Sequence, residues 1–153
     1  MKKPDVSDWH RIAEGFQRNW QFPNCLGAVD GKHVRIRAPP NSGSMYHNYK
    51  DTFSIVLLAV ADADYKCVVV DVGAYGKQSD GGILKHSQFG QMLDAGTLPI
   101  PGPQQLPGTT CTAPCVFLGD EAFQLRPNFL RPFPGEGLDR DKRIFNFRSS
   151  RAR

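Results

Sequence analysis

The sequence has no long hydrophobic run. Its longest uninterrupted apolar stretch, Ile55 to Ala61, is seven residues, whereas a helix spanning a bilayer needs roughly 20. Lys2 and Lys3 have no apolar segment behind them, so no secretory signal is expected. Cysteine is sparse, with four residues at Cys25, Cys67, Cys111 and Cys115. That is not the framework of a small disulfide-stapled domain, and the expected compartment is intracellular and reducing. Cys111 and Cys115 form CTAPC, but no second Cys or His pair follows at zinc spacing. There is no GxSxG, Walker-type or GxGxxG motif, so serine-hydrolase, P-loop and dinucleotide-binding chemistry lack support. Glutamate is also scarce: the three are Glu14, Glu121 and Glu136, and none lies in the basic C-terminal stretch.

What is there suits one domain with a packed core: 153 residues, 40% apolar and 22% charged. The formal charge is +4. Its distribution says more than its size. From Arg140 the chain reads RDKRIFNFRSSRAR, six basic residues against one acid, Asp141. Such a run either meets phosphate or forms a solvated helix face.

Residues 1–20 read as a helix, with Trp9, Ile12, Ala13 and Phe16 at helical spacing and Ser7 as N-cap. Leu26 to Ile36 reads as a strand interrupted at Gly31, with His33, Arg35 and Arg37 on one face. Phe53 to Val60 suits a central strand buried on both faces. A tight turn, Ala61 to Tyr65, leads to a β-branched strand, Cys67 to Val72. Ser79 or Asp80 then caps a helix whose apolar stripe runs from Ile83 to Leu93. Thr97 to Pro114, with five prolines and two glycines, reads as a loop without secondary structure. Cys115 to Leu118 is a short buried strand, and Asp139 to Arg153 reads as helical. Three strands, a helix, a fourth strand and further helices predict a mixed α/β sheet in ribonuclease-H-like order.

Two aspartates stand out. Asp30 sits inside an apolar strand and Asp120 closes CVFLG. A carboxylate there is costly unless something compensates its desolvation. Two carboxylates meeting at adjacent strand ends make a hard oxygen site for magnesium or manganese. The plainer readings are a turn residue for Asp30, in an Asp-Gly hairpin signal, and a cap for Asp120. Asp51, Asp62, Asp64, Asp71 and Asp94 read as turn or surface residues, and Asp80 most simply as the helix cap. His33, His47 and His86 are scattered and read as surface or satisfied core histidines.

Four strings together resemble one family: GAVDGKHVRI (27–36), the segment 46–84 that ends in GKQSDGGIL, VFLGDEAFQL (116–125) and KRIFNFRSSRAR (142–153). They look like the catalytic domain of PIF/Harbinger-type transposases and the harbinger-derived nucleases, over most of the chain from residue 22. Beside the helical segment read at 1–21, the resemblance implies a DDE endonuclease domain at 22–153, of ribonuclease-H-like fold. It carries the first catalytic acid onto Asp30 and the second onto Asp120. Asp80 matches a further recurrent acid and joins them as a metal-site candidate. The third acid, a glutamate, is expected a few residues past Arg153 on the same helix, so the domain is expected to be incomplete at its C-terminus. The implied cofactor is a divalent cation, magnesium or manganese. The implied reaction is hydrolysis of DNA phosphodiesters, with Arg143, Arg148, Arg151 and Arg153 as phosphate contacts. DNA is the implied partner, with room for a separate DNA-binding protein and for a homo-oligomer, and with no membrane. The nucleus is the implied location, the cytoplasm a second one. The competing expectation is a catalytically inactive, transposase-derived module that binds DNA or protein.

Overall fold

The structure is a computed structural model and describes residues 3–153. The first element is helix α1 (Val6–Trp20). Its N-cap is Asp5, not Ser7: the Asp5 carboxylate accepts from Asp8 N, and Asp8 reciprocates in a capping box. Ser7 instead donates its hydroxyl to Asp5 Oδ1 at 2.7 Å. The apolar stripe is as the periodicity predicts, with Trp9, Ile12, Ala13 and Phe16 all buried.

Strand β1 (Cys25–Arg35) runs unbroken through Gly31. It pairs antiparallel with β2 (Ser54–Ala61), which pairs antiparallel with β3 (Cys67–Tyr75). β2 is central, but only one of its faces is fully buried. Ser54, Val56, Leu58 and Val60 point into the core, whereas Ile55, Leu57, Ala59 and Ala61 are half-buried. β3 is an edge strand, and Val70 and Val72 remain exposed on it.

The helix expected after Ser79 is two helices, α2 (Asp80–His86) and α3 (Gln88–Asp94). Ser87 breaks the run. Its hydroxyl donates to Leu84 O at 2.7 Å and accepts from Gly90 N at 2.9 Å, so it closes one helix and opens the next. The proline-rich segment is not wholly irregular. It holds a two-residue ladder, β4 (Gln104–Gln105) with β5 (Thr112–Ala113). Buried Asn24 pins that ladder by donating to Gln104 O and Ala113 O.

Strand β6 (Val116–Leu118) returns parallel to β1, and β7 (Phe129–Leu130) adds parallel to β6. The sheet order is β3-β2-β1-β6-β7. With the flanking helices this is the mixed, ribonuclease-H-like α/β arrangement. Helix α4 (Arg140–Ala152) closes the chain under an Asp139 cap. No described helix is long and apolar enough to cross a membrane.

The core centres on Phe117 of β6, which is fully buried. The Trp9 ring of α1 meets it edge-on at 5.5 Å, and the Phe89 ring of α3 at 5.1 Å. Phe117→Ala is expected to cost about 3–5 kcal/mol, a large share of a domain's stability. A urea titration followed by tryptophan fluorescence measures it. A midpoint unchanged from the parent would contradict this account of the core.

Candidate active site

Asp30 lies on β1 opposite Ala59, on the half-buried face of the sheet. The parallel pairing places Ala28 beside Leu118. The ladder ends there, and Asp120 lies two residues beyond it in the loop after β6. Asp120 also acts locally, as its plainer reading predicts: Oδ1 accepts from Ala122 N at 2.9 Å. Its Oδ2 has no hydrogen-bond partner among the described residues.

Asp80 arrives from the core side. It is not the cap of α2, because Ser79 holds that place and accepts from Gly82 N. Asp80 occupies the first helical position instead. Two glycines let it approach. A β-carbon on Gly31 would collide with the Asp80 carboxylate, and one on Gly81 would meet Ala122 O at 2.7 Å. The first turn of α2 is thus pressed between β1 and the loop that carries Asp120. Asp80 Oδ1 is buried there without a hydrogen-bond partner. Burial raises the Asp80 carboxyl above its ordinary range, and the negative charges of Asp30 and then Asp120 raise it further. The three acids therefore feel one another. Among the described residues, however, no three His, Cys, Asp or Glu side chains stand grouped as a metal cage.

His33 is the residue that sequence reasoning passed over. It shares the core-side face of β1 with Gly31, and its charge opposes the shift at Asp80. Its orientation is fixed from behind. Asn48 Oδ1 accepts from Lys50 N, Thr52 N and Thr52 Oγ1, which turns Nδ2 toward Ser54 Oγ at 2.8 Å. Ser54 is fully buried, and its hydroxyl lies 2.8 Å from His33 Nδ1. The hydroxyl accepts from Asn48 and keeps one proton and one lone pair, so it donates to Nδ1 when the neutral ring is protonated on Nε2 and accepts from Nδ1 in the other tautomer. The one sequence signal was alternation, which put His33 in a strand face three residues after Asp30.

Arg143, Arg148 and Arg151 lie on α4 and Arg153 at its C-cap, all exposed. Arg148 lines an apolar cavity of about 510 Å³ together with Phe22, Val116, Leu130, Ile144 and Phe145. The cavity's lining includes Val116 at the start of β6 and Leu130 at the end of β7. Arg151 is placed over the Phe147 ring at 5.7 Å. Phe145 of α4 packs against Phe22 at 5.9 Å.

A carboxylate-bearing ribonuclease-H-like sheet of this order defines a class, and the comparisons agree with it. Residues 29–153 match the family described as DDE superfamily endonuclease, and the chain belongs to that family. A relative named Protein ALP1-like, from Arabidopsis thaliana, is 31% identical over 144 residues. The match covers 92% of this chain and 35% of the relative, so the chain spans about a third of that relative's length. No solved structure matches.

Two outcomes are expected. The unfolded chain releases the Asp80 proton at a lower pH than the folded one, so this residue's contribution to stability falls as pH rises from about 4 through its raised value. Asp80→Asn removes that fall. Its melting temperature relative to the parent should climb with pH, reaching a gain of roughly 2–4 °C at pH 7, as a relieved crowded carboxylate would give in a domain of this size. In nitrogen-15 NMR, neutral His33 in the tautomer to which Ser54 donates shows a pyridine-type Nδ1 and a pyrrole-type Nε2, and in the other tautomer the reverse. Ser54→Ala should weaken whichever preference the parent shows, and no change would refute the relay.

Proposed function

We propose that the chain carries the core of a metal-dependent DNA endonuclease, with Asp30 and Asp120 as the catalytic pair and Asp80 as a third ligand. The observation that carries this reading is the orphaned, buried Asp80 Oδ1, held over Gly31 and within the field of Asp30 and Asp120. Hard oxygen donors that repel one another suit a hard divalent cation, which relieves the repulsion and gives the orphaned oxygen a partner. The fit is one of chemistry, since the three carboxylates still have to draw in around an ion. Magnesium or manganese bound here supplies a Lewis acid and an acidified water for attack on phosphorus.

The chain's own residues would do the rest. Asp30 holds position on β1. Asp120, in the loop after β6, is fixed by its bond from Ala122 N. His33, in its Nε2-protonated tautomer, donates to a phosphate oxygen on the core side of β1. The exposed Arg143, Arg151 and Arg153 add sequence-independent attraction for the DNA backbone. DNA as substrate would set the protein's work in the nucleus. A catalytically inactive DNA- or protein-binding module is the competing reading, favoured by the absence of a grouped metal cage among the described residues.

The test separates binding from catalysis. Manganese is titrated into the 153-residue chain at low salt, with free manganese read by electron paramagnetic resonance. The parent should bind weakly, and Asp30→Ala should bind at least about tenfold more weakly still. Equal binding by both would remove Asp30 from the site. Nicking of plasmid DNA is then assayed in a longer chain that extends through the acid expected past Arg153. Manganese-dependent nicking lost in Asp30→Ala and in Asp120→Ala supports the enzyme, and no nicking by the parent supports the inactive module.

A further inference from the structure

The segment from Tyr46 to Ser54 is built more firmly than a surface loop requires. Asn48 N donates to Thr52 O at 2.8 Å, and Asp51 N donates to Asn48 O at 3.1 Å. The buried Asn48 side chain gathers Lys50 N, Thr52 N and Thr52 Oγ1 on one oxygen. Asp51 sits in the left-handed region at φ 54°, and His47 Nε2 stands 3.8 Å from its carboxylate. This tight, internally bonded turn lifts two residues at its tip, Tyr49 and Lys50.

Tyr49 is 78% exposed, the most exposed large apolar side chain among the described residues. It is nonetheless oriented. The His33 ring meets it nearly perpendicular at 5.6 Å, and Lys50 Nζ lies 5.3 Å from its centroid. His33 in turn belongs to the Asn48–Ser54 relay and acts on Asp80. The aromatic ring and the ammonium are therefore one residue removed from the acidic site, on a rigid support that the same relay holds. Lys32, Arg35 and Arg37 are exposed on the neighbouring strand and its extension. A held aromatic ring beside cations, next to acids, matches the stacking-plus-phosphate design of single-strand nucleic-acid sites.

We propose that Tyr49 and Lys50 form a nucleotide platform, on which the Tyr49 ring stacks an unpaired base of the DNA strand while Lys50 takes an adjacent phosphate. The platform rests on the nuclease reading for its substrate, and it adds to that reading how the strand is presented. An unstacked base beside the scissile phosphate frees the backbone to reach His33 and the carboxylates.

The experiment is equilibrium binding without divalent metal, so that it is independent of catalysis. Fluorescein-labelled DNA is offered as a blunt duplex and as the same duplex with a single-stranded 3′ overhang, and anisotropy is read across a salt series. The parent should prefer the overhang. Tyr49→Ala should weaken overhang binding about tenfold and leave the blunt duplex nearly unchanged, because base stacking is lost. Tyr49→Phe should keep the preference, since its ring still stacks. Lys50→Gln should weaken both DNAs and lower the slope of log affinity against log salt by about one. Tyr49 is exposed, so these variants should fold as the parent does. For Tyr49→Ala, an equal loss on both DNAs or no loss on either would overturn the platform, as would no DNA binding by the parent. Overhang preference with no metal-dependent nicking in the longer chain would sustain the platform while refuting the nuclease. Nicking that Tyr49→Ala leaves intact, together with unchanged binding, would do the reverse.

Discussion

The domain depends on β1 being paired along both edges, antiparallel to β2 and parallel to β6. The antiparallel side forms locally through a hairpin-like return. The parallel side cannot, because a parallel partner needs a long crossover. Here the crossover contains β3, α2 and α3, and its helices supply Phe89 and the first turn of α2 to the core face. The parallel pairing of Ala28 with Leu118 carries the chain to the loop of Asp120, and both Asp30 and Asp120 act electrostatically on Asp80.

The elements legible in the sequence are those with a strong period. Trp9, Ile12, Ala13 and Phe16 define α1 because a helix stripe needs only its own residues. The strand runs at 25–35, 54–61 and 67–75 follow from alternation and β-branching. What escaped depends on partners distant in sequence. β7 has two residues, shortly after Pro127 and just before Arg131-Pro132, and exists because β6 offers it an edge. The break at Ser87 is a hydroxyl placed between two helices, which the apolar stripe passes over. β2 seemed buried twice because its composition is uniformly apolar, but β3 and β1 leave one of its faces half-covered.

The candidate site divides in the same way. Asp30 and Asp120 could be singled out because an acid in an apolar strand is anomalous wherever it lies. Asp80 looked like a cap because its neighbours in sequence are those of a cap. Only the approach of Gly31 and Gly81 shows that its carboxylate leaves the helix end and meets β1. His33 was invisible as a site residue, since the groups that orient it, Ser54 and Asn48, are separated from it by 21 and 15 positions. The basic stretch on α4 was legible as charge, but charge alone carries no address. Its first turns are fixed by apolar contacts of Phe145 with Phe22 and Phe133.

Several of the departures from local rules fall around β1. Asp30 interrupts an apolar strand. Asp80 is half-buried, with one carboxylate oxygen enclosed without a hydrogen-bond partner and two like charges nearby. Gly31 and Gly81 forgo side chains so that backbone and carboxylate can touch. Ser54 and Asn48 are polar groups wholly enclosed beside the sheet. Each departure alone lowers stability or is neutral, and each has an ordinary explanation when taken singly. Departures occur elsewhere too, since Trp9 Nε1, Gln17 Oε1 and Ser149 Oγ are buried without hydrogen-bond partners among the described residues. What sets β1 apart is the kind of departure: carboxylates within one another's field, and glycines whose missing side chains let one of them approach.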